Sequence, residues 1–238
     1  MTDPVVLGDV GSDIGHRYQV NFDVAHLSDD PLIAVVADGM GDGEGSAMAG
    51  RTAVNTLVAC ARSAAVDPNS LRAAVAEASE KAREFGEREG ALAGCTLTAL
   101  VSSVSGYWLV HIGDSRAYRL RDGLLELLTV DHTMAWLGAI NGWYSADSPH
   151  AARDRYRLTR YVGHPAQPEP DVMSVVLCPG DVILLCTDGI AEQVTYRQIQ
   201  ETLGLRATPS EQVRVLMALA EAAGGRDNAT AIVLQVGR

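Results

Sequence analysis

Four aspartates stand at strand boundaries in this chain and a fifth lies within a strand pattern. Asp38 follows Val35-Val36-Ala37, Asp114 follows His111-Ile112-Gly113, and Asp188 follows Leu185-Cys186-Thr187. Asp23 sits in an early strand pattern and Asp227 opens a final one. One Asp-Gly pair is ordinarily a turn, as Asp122-Gly123 is expected to be. A set of carboxylates gathered at the ends of packed strands repels itself and loses hydration. Divalent cations relieve both costs, and oxygen ligands without Cys or His partners favour Mg²⁺ or Mn²⁺. Other phosphate chemistries fail on spacing. A cysteine phosphatase needs an arginine six residues after its cysteine, but Cys60, Cys95, Cys178 and Cys186 are followed there by Val66, Val101, Leu184 and Glu192. A P-loop needs a lysine after its glycines, and the only lysine, Lys81, lies in a helical stretch. The glycine-rich run from Asp38 follows a strand and precedes a helix, yet no register of it fits a dinucleotide fingerprint. Its glycines still permit close backbone approach to an ion or phosphate.

The elements that must position these residues are legible in outline. Val5 to Asp9 and Tyr18 to Leu27 read as strands, with a turn at Asp29-Asp30-Pro31. Leu32 to Ala37 is an apolar run short enough for a buried strand. Ser46 to Val66 is alanine-rich and helical in pattern. Asp67-Pro68 starts a second helix, whose Leu71, Val75, Ala78, Ala82 and Phe85 form one apolar stripe for the core. Thr96 to Val104, Tyr107 to Ile112, Arg116 to Leu120 and Leu124 to Leu128 read as a meander. Trp136 to Arg160 reads as an irregular exposed flap, in which Trp136, Trp143 and Tyr144 are expected to pack as a satellite core rather than to touch substrate. Val172 to Leu177 and Val182 to Thr187 read as a hairpin around Pro179-Gly180-Asp181. Helices at Thr195 to Leu205 and Ser210 to Ala223 precede a closing strand, Ala229 to Val236. Many strands, tight antiparallel turns and grouped helices predict an α+β sandwich, not a doubly wound sheet.

Composition narrows the rest. The chain has 238 residues, enough for one sizeable core, and with 47% hydrophobic and 21% charged residues it is not disordered. Nineteen basic against thirty acidic residues give a net charge of −11, which disfavours nucleic acid and anionic membranes as partners. No run approaches the ~20 apolar residues of a membrane span. The start carries acids and no basic segment, so a secretory signal is not expected and a cytoplasmic location is. The cysteines lack C-x-x-C spacing and sit in apolar surroundings, as buried free thiols do.

Read in order, the motifs resemble those of the metal-dependent protein Ser/Thr phosphatases, the type-2C or PPM family, in its compact bacterial form. SDIGHRYQVNFD (Ser12 to Asp23), VVADGMG (Val35 to Gly41), AGCTLTAL (Ala93 to Leu100) and HIGDSRAYRLRDG (His111 to Gly123) carry the first half. LLTVDHT (Leu127 to Thr133), YRLTRYVG (Tyr156 to Gly163), LLCTDGI (Leu184 to Ile190) and GRDNATAIVL (Gly225 to Leu234) carry the second. The resemblance spans essentially the whole chain. It implies one domain over residues 1–238, a four-layer α-β-β-α sandwich with two central antiparallel sheets. It implies hydrolysis of phosphoserine and phosphothreonine on proteins phosphorylated by a Ser/Thr kinase, by a monomer. By the same resemblance Asp38, the Gly39 carbonyl, Asp188 and Asp227 bind two Mn²⁺ or Mg²⁺ ions, with Asp38 bridging and Asp23 holding one ion mainly through water. Asp114, with Glu192 near it, resembles a third, weaker metal site, and Asn228 a supporting hydrogen bonder. The implied nucleophile is a metal-bridging hydroxide, and Met40 stands where no histidine general acid is then expected.

Two departures stand out. The family's phosphate-gripping arginine falls at Tyr18, with arginine one place earlier at Arg17, which in a strand points to the opposite face. The acid or amide before the last aspartate of that motif is Phe22. They motivate a rival reading, a phosphoprotein-binding module with weak turnover. His111 and His132 are expected to serve structural hydrogen bonds.

Overall fold

The computed structural model describes residues 5–41, 43–63 and 66–237. Its elements in chain order are β1 (Val6–Asp13), β2 (Val24–Asp29), β3 (Leu32–Ala37), α1 (Glu44–Ala61), α2 (Pro68–Glu89), β4 (Leu97–Ser103), β5 (Gly106–Ile112), β6 (Arg116–Arg121), β7 (Leu124–Leu127), α3 (Met134–Ile140), α4 (Pro149–Asp154), β8 (Asp171–Val175), β9 (Val182–Cys186), α5 (Asp188–Ala191), α6 (Tyr196–Leu203), α7 (Pro209–Ala222) and β10 (Ala229–Val236). Two five-stranded antiparallel sheets result, in the orders β1-β10-β9-β6-β7 and β2-β3-β4-β5-β8. Their inner faces meet through Ala34, Val36, Leu100 and Leu109 on one side and Ile183, Leu185, Ile232 and Leu234 on the other. The alternate residues face outward. Val35 and Leu97 pack under Leu57 of α1 and Leu71 of α2, and Leu184 and Val233 pack under Ile199 of α6 and Leu216 of α7. Both faces of β3 are therefore covered, which is why it reads as a continuous apolar run without alternation. Four layers, helix-sheet-sheet-helix, follow from that burial.

Strand direction gathers the aspartates. Ala37 pairs with Val24, so the end of β3 and the start of β2 lie together, with Asp38 and Asp23 beyond them. Ile112 pairs with Leu97 in the same sheet, bringing Asp114 to that end. Across the sandwich Cys186 pairs with both Ala231 and Arg116, placing Asp188 and Asp227 at the matching end of the second sheet.

Several sequence expectations are corrected. β8 and β9 are not a hairpin: β8 pairs with β5, and β9 with β6 and β10. The Pro179-Gly180-Asp181 turn carries the chain from one sheet to the other. Asp181 fixes it by accepting from the Cys178 N–H at 2.8 Å and holding Arg121 at 2.7 Å. The meander also breaks, because Gly113-Asp114-Ser115 crosses between sheets. Gly113 does so at φ +113°, where a Cβ would lie 2.6 Å from the Thr96 side chain. Residues 18–23 are loop, not strand. Helix α1 ends at Ala61; of the longer span expected, residues 64 and 65 lie outside the described set, as does Asp42 in the glycine-rich run. The flap forms two short helices, N-capped by Thr133 and by Ser148 before Pro149. Its Tyr144 packs, donating to the Met134 carbonyl and Asp154, but Trp136 and Trp143 are exposed. Among the described residues no helix is long and apolar enough to cross a membrane.

Candidate metal centre and active site

A cavity of ≈ 440 Å³ opens at the end of the sandwich where the strands converge. Asp38, Gly39, Asp114, Asp188 and Asp227 line it, with Asn228, Arg17, Tyr18, Phe22, Met40 and Tyr156. The backbone around these groups is tied by hydrogen bonds distant in sequence. The Asp38 N–H donates to Thr96 Oγ1 at 2.9 Å, and the Thr96 N–H donates to the Asp38 carbonyl at 2.8 Å. Asp23 is buried below the cavity and accepts from the Thr187 hydroxyl at 2.8 Å. Asn228 accepts from the Phe22 N–H at 2.7 Å and donates to the Ile14 carbonyl at 2.8 Å, which pins the opening loop against β10. The Gly39 carbonyl has its place because the residue is glycine: a Cβ there would meet the carbonyl oxygens of Ser46 and Phe22 at 2.8 and 2.9 Å.

Electrostatics define the site. Burial and then repulsion from Asp188, Asp23 and Asp114 hold Asp38 well above the carboxylate range, and a hydrogen bond joins the Asp38 and Asp188 carboxyl groups. Asp188 is raised likewise, by burial and then by Asp114 and Asp227. Burial pushes Asp23 up to about 6 against hydrogen bonds from Thr230 and Thr187. Burial, with Asp131 and Glu192 nearby, pushes Asp114 up to about 7. Burial raises Asp227 while the Asn228 N–H and Arg17 oppose it. Two buried carboxylate oxygens, Asp23 Oδ1 and Asp188 Oδ1, have no hydrogen-bond partner. A cluster of carboxyl groups this buried, with orphaned oxygens and no lysine among them, fits divalent cations. Among the described residues no three such side chains close into a tight cage around one point. Asp38, Asp114, Asp188 and Asp227 line the cavity, and Asp23 lies outside its lining.

Arg17 and Tyr18 both line the cavity, against the expectation that one would face away. The premise of a strand fails: the segment turns after Ile14, so no two-residue alternation applies. The Arg17 guanidinium carbon lies 5.0 Å from the centre of the Tyr18 ring, and Phe22 meets that ring edge-on at 6.3 Å. Glu192 sits on the other side, 3.6 Å from Arg155. Tyr156, Thr96 and Thr187 were not singled out from sequence. Thr187 immediately precedes Asp188, the one local signal that could have marked it.

Both histidines serve the framework. His111 donates from Nε2 to the Val130 carbonyl at 3.0 Å, and its Nδ1 lies 2.9 Å from the Thr98 hydroxyl. His132 Nδ1 accepts from the Gly113 N–H at 3.0 Å, while its own backbone N–H donates to the Gly113 carbonyl at 2.8 Å. The residue before Asp114 is thus clamped on both sides. Of the four cysteines expected to be buried, Cys95 and Cys186 are fully so and Cys60 and Cys178 only half-buried; burial raises the Cys95 and Cys186 thiols, Cys186 to about 12.

Comparison with known proteins agrees with this geometry. The family model for protein phosphatase 2C matches residues 14–222. The serine/threonine phosphatase Stp of Listeria monocytogenes is 29% identical over 230 residues, 93% of this chain and 91% of that protein. The crystal structure of the Mycobacterium tuberculosis serine/threonine phosphatase PstP/Ppp aligns with a TM-score of 0.88 at 30% identity, covering 98% of this chain and all of that one. The catalytic domain of PstP in complex with two manganese ions aligns at 0.85 and 31% identity, covering 98% and 99%.

Proposed function

The chain belongs to the protein phosphatase 2C family, and on that premise we propose how its own residues hydrolyse phosphoserine and phosphothreonine on proteins. Asp38, Asp188, Asp227 and the Gly39 carbonyl hold two divalent ions, Mn²⁺ or Mg²⁺, with Asp23 supporting one of them from below. Asp114 with Glu192 offers a third, weaker position. The observation that carries this reading is the pair of orphaned oxygens, Asp23 Oδ1 and Asp188 Oδ1, inside a cluster of raised carboxyl groups. When bound, such ions lower the pKa of coordinated water toward neutrality and offset charge on the phosphoryl oxygens.

The rest falls to the protein. Arg17, held over the Tyr18 ring, presents a guanidinium to the phosphate of the substrate. Asn228 fixes the loop that carries it. Burial and mutual repulsion raise the Asp38 and Asp188 carboxyl groups, and bound divalent ions would favour their ionised forms. A thiol nucleophile is not needed: Cys95 and Cys186 are fully buried and burial raises both thiols, in Cys186 against the opposing pull of Arg116. Two departures motivate the weak-turnover binding module; Arg17 in the cavity answers the one at Tyr18, and Phe22 still stands before Asp23. The substrates are proteins phosphorylated by a serine/threonine kinase, met by a monomer. Release of inorganic phosphate from a phosphothreonine peptide with Mn²⁺ tests the reading; peptide binding without release would favour the rival.

A further inference from the structure

Tyr18 and Phe22, the two residues that depart from the family motif, are joined in the structure to Arg17. Hydrogen bonds pin the loop on both sides of that arginine. The His16 N–H donates to the Gly225 carbonyl at 2.7 Å, and the Phe22 N–H to Asn228 Oδ1 at 2.7 Å. Phe22 is buried at the second pin, and its ring meets the half-buried Tyr18 ring with the two planes 82° apart. The Arg17 guanidinium carbon, 5.0 Å from the Tyr18 ring centre, is within range of a cation–π contact. Arg17 itself is exposed, and among the described residues no ion pair includes it. All three side chains line the cavity that holds Asp38 and Asp227, and the guanidinium opposes the upward push of burial on Asp227.

Resting on the phosphatase reading above, we infer that Tyr18 and Phe22 are positioning residues for Arg17, an aromatic bracket that aims its guanidinium at the substrate phosphate. A guanidinium stacked on a ring keeps its in-plane N–H donors free. A carboxylate partner would occupy those donors and compete with phosphate for them. The ring therefore orients the arginine without competing for its donors. Without the ring, Arg17 spreads over more rotamers, and phosphate must then select one of them. The two departures are one compensated unit: Tyr18 holds the arginine that stands one place early, and Phe22 holds Tyr18.

The test is a double-mutant cycle of wild type, Arg17→Ala, Tyr18→Leu and the double variant, with Tyr18→Phe and Phe22→Leu alongside. Each protein is read by kcat and KM on a phosphothreonine peptide, by Ki for inorganic phosphate, and by the Mn²⁺ concentration that gives half-maximal rate. Tyr18→Leu is expected to raise KM and Ki about two- to fivefold, the strength of an exposed cation–π contact, with little change in kcat or Mn²⁺ requirement. Tyr18→Phe keeps the ring and should restore most of that loss, and Phe22→Leu should give a smaller loss of the same kind. In the Arg17→Ala background Tyr18→Leu should cost nothing further. A silent Tyr18→Leu in a protein that Arg17→Ala impairs overturns the bracket alone. So does an equal loss in both backgrounds, which places Tyr18 itself on the substrate. A loss that Tyr18→Phe does not restore, or one that appears as a changed Mn²⁺ requirement, overturns it too. A silent Arg17→Ala removes the arginine from substrate contact and the bracket with it. Wild-type protein inert toward both the peptide and p-nitrophenyl phosphate overturns the phosphatase reading and everything that rests on it.

Discussion

Asp114→Asn should stabilise the metal-free protein, and increasingly so as pH rises. Burial, Asp131 and Glu192 push the Asp114 carboxyl up to about 7 from an ordinary 3.8. Between those values the folded chain keeps a proton that the unfolded chain has lost, so folding stability falls as pH rises, and the penalty is complete above pH 7. Asparagine keeps the shape and never ionises. At about 1.4 kcal/mol per pH unit, the advantage of the variant should grow by about 3 kcal/mol between pH 5 and pH 8. For a chain of this size that is roughly 6–12 °C in Tm. His111, pushed down to about 4, and His132, also lowered, tilt stability the other way, because the unfolded chain protonates them first. Both are unchanged in the variant, so they cancel in the difference. Removing the charge also relieves Asp188, which adds in the same direction. The assay is thermal unfolding of both proteins in chelator across that pH range. Excess Mn²⁺ should narrow or reverse the gap at pH 8, since ions stabilise the ionised site. A variant no more stable than wild type at pH 8 in chelator, or an advantage that does not change with pH, would refute the crowded-carboxylate account.

Three further outcomes follow from the same geometry. Arg17→Ala should raise KM for phosphopeptides about tenfold or more with a smaller change in kcat, as loss of a charged hydrogen bond predicts; Tyr18→Arg should add little, and silence of Arg17→Ala in steady-state kinetics would remove Arg17 from substrate contact. Asp38→Asn and Asp188→Asn should each lower kcat at least about a hundredfold while circular dichroism shows an intact fold, comparable to loss of one key electrostatic group; near-normal turnover in either would remove it from the metal set. Alkylation of the folded protein at pH 7.5 should leave turnover nearly intact, because Cys95 and Cys186 are buried with thiols held un-ionised; rapid loss matching the labelling of one cysteine would contradict this.

What the sequence showed and what it hid divide along sequence distance. Strand β3 was legible because Leu32 to Ala37 is uninterrupted apolar chain between a turn and an aspartate. The start of α2 was legible because Asp67 caps it, accepting from the Ser70 N–H at 2.7 Å, with Pro68 behind. The aspartates themselves were legible because each stands beside or within a strand pattern. The sheet partners of β8 and β9 were not: the turn between them is local, while the choice of sheet depends on β5, β6 and β10. Nor was the loop that holds Arg17. Its course is set by Asn228, more than 200 residues away, which bonds the backbone of Phe22 and Ile14. The pattern of Tyr18 to Leu27 suggested one strand; it holds over Val24 to Leu27 in β2, and those bonds override it over residues 18–23. In the flap, Ser148-Pro149 was a readable helix start, masked by the polar residues around it.

The central claim is that the gathered aspartates work by holding divalent ions. Its most direct test is to titrate Mn²⁺ into chelator-stripped protein, measuring bound metal and hydrolysis of a phosphothreonine peptide in the same samples. The account predicts no hydrolysis at the start, and activity that rises as two ions bind per chain. It also predicts that Asp188→Asn weakens both together. Hydrolysis that persists in excess chelator, or activity that does not follow metal occupancy, would contradict it.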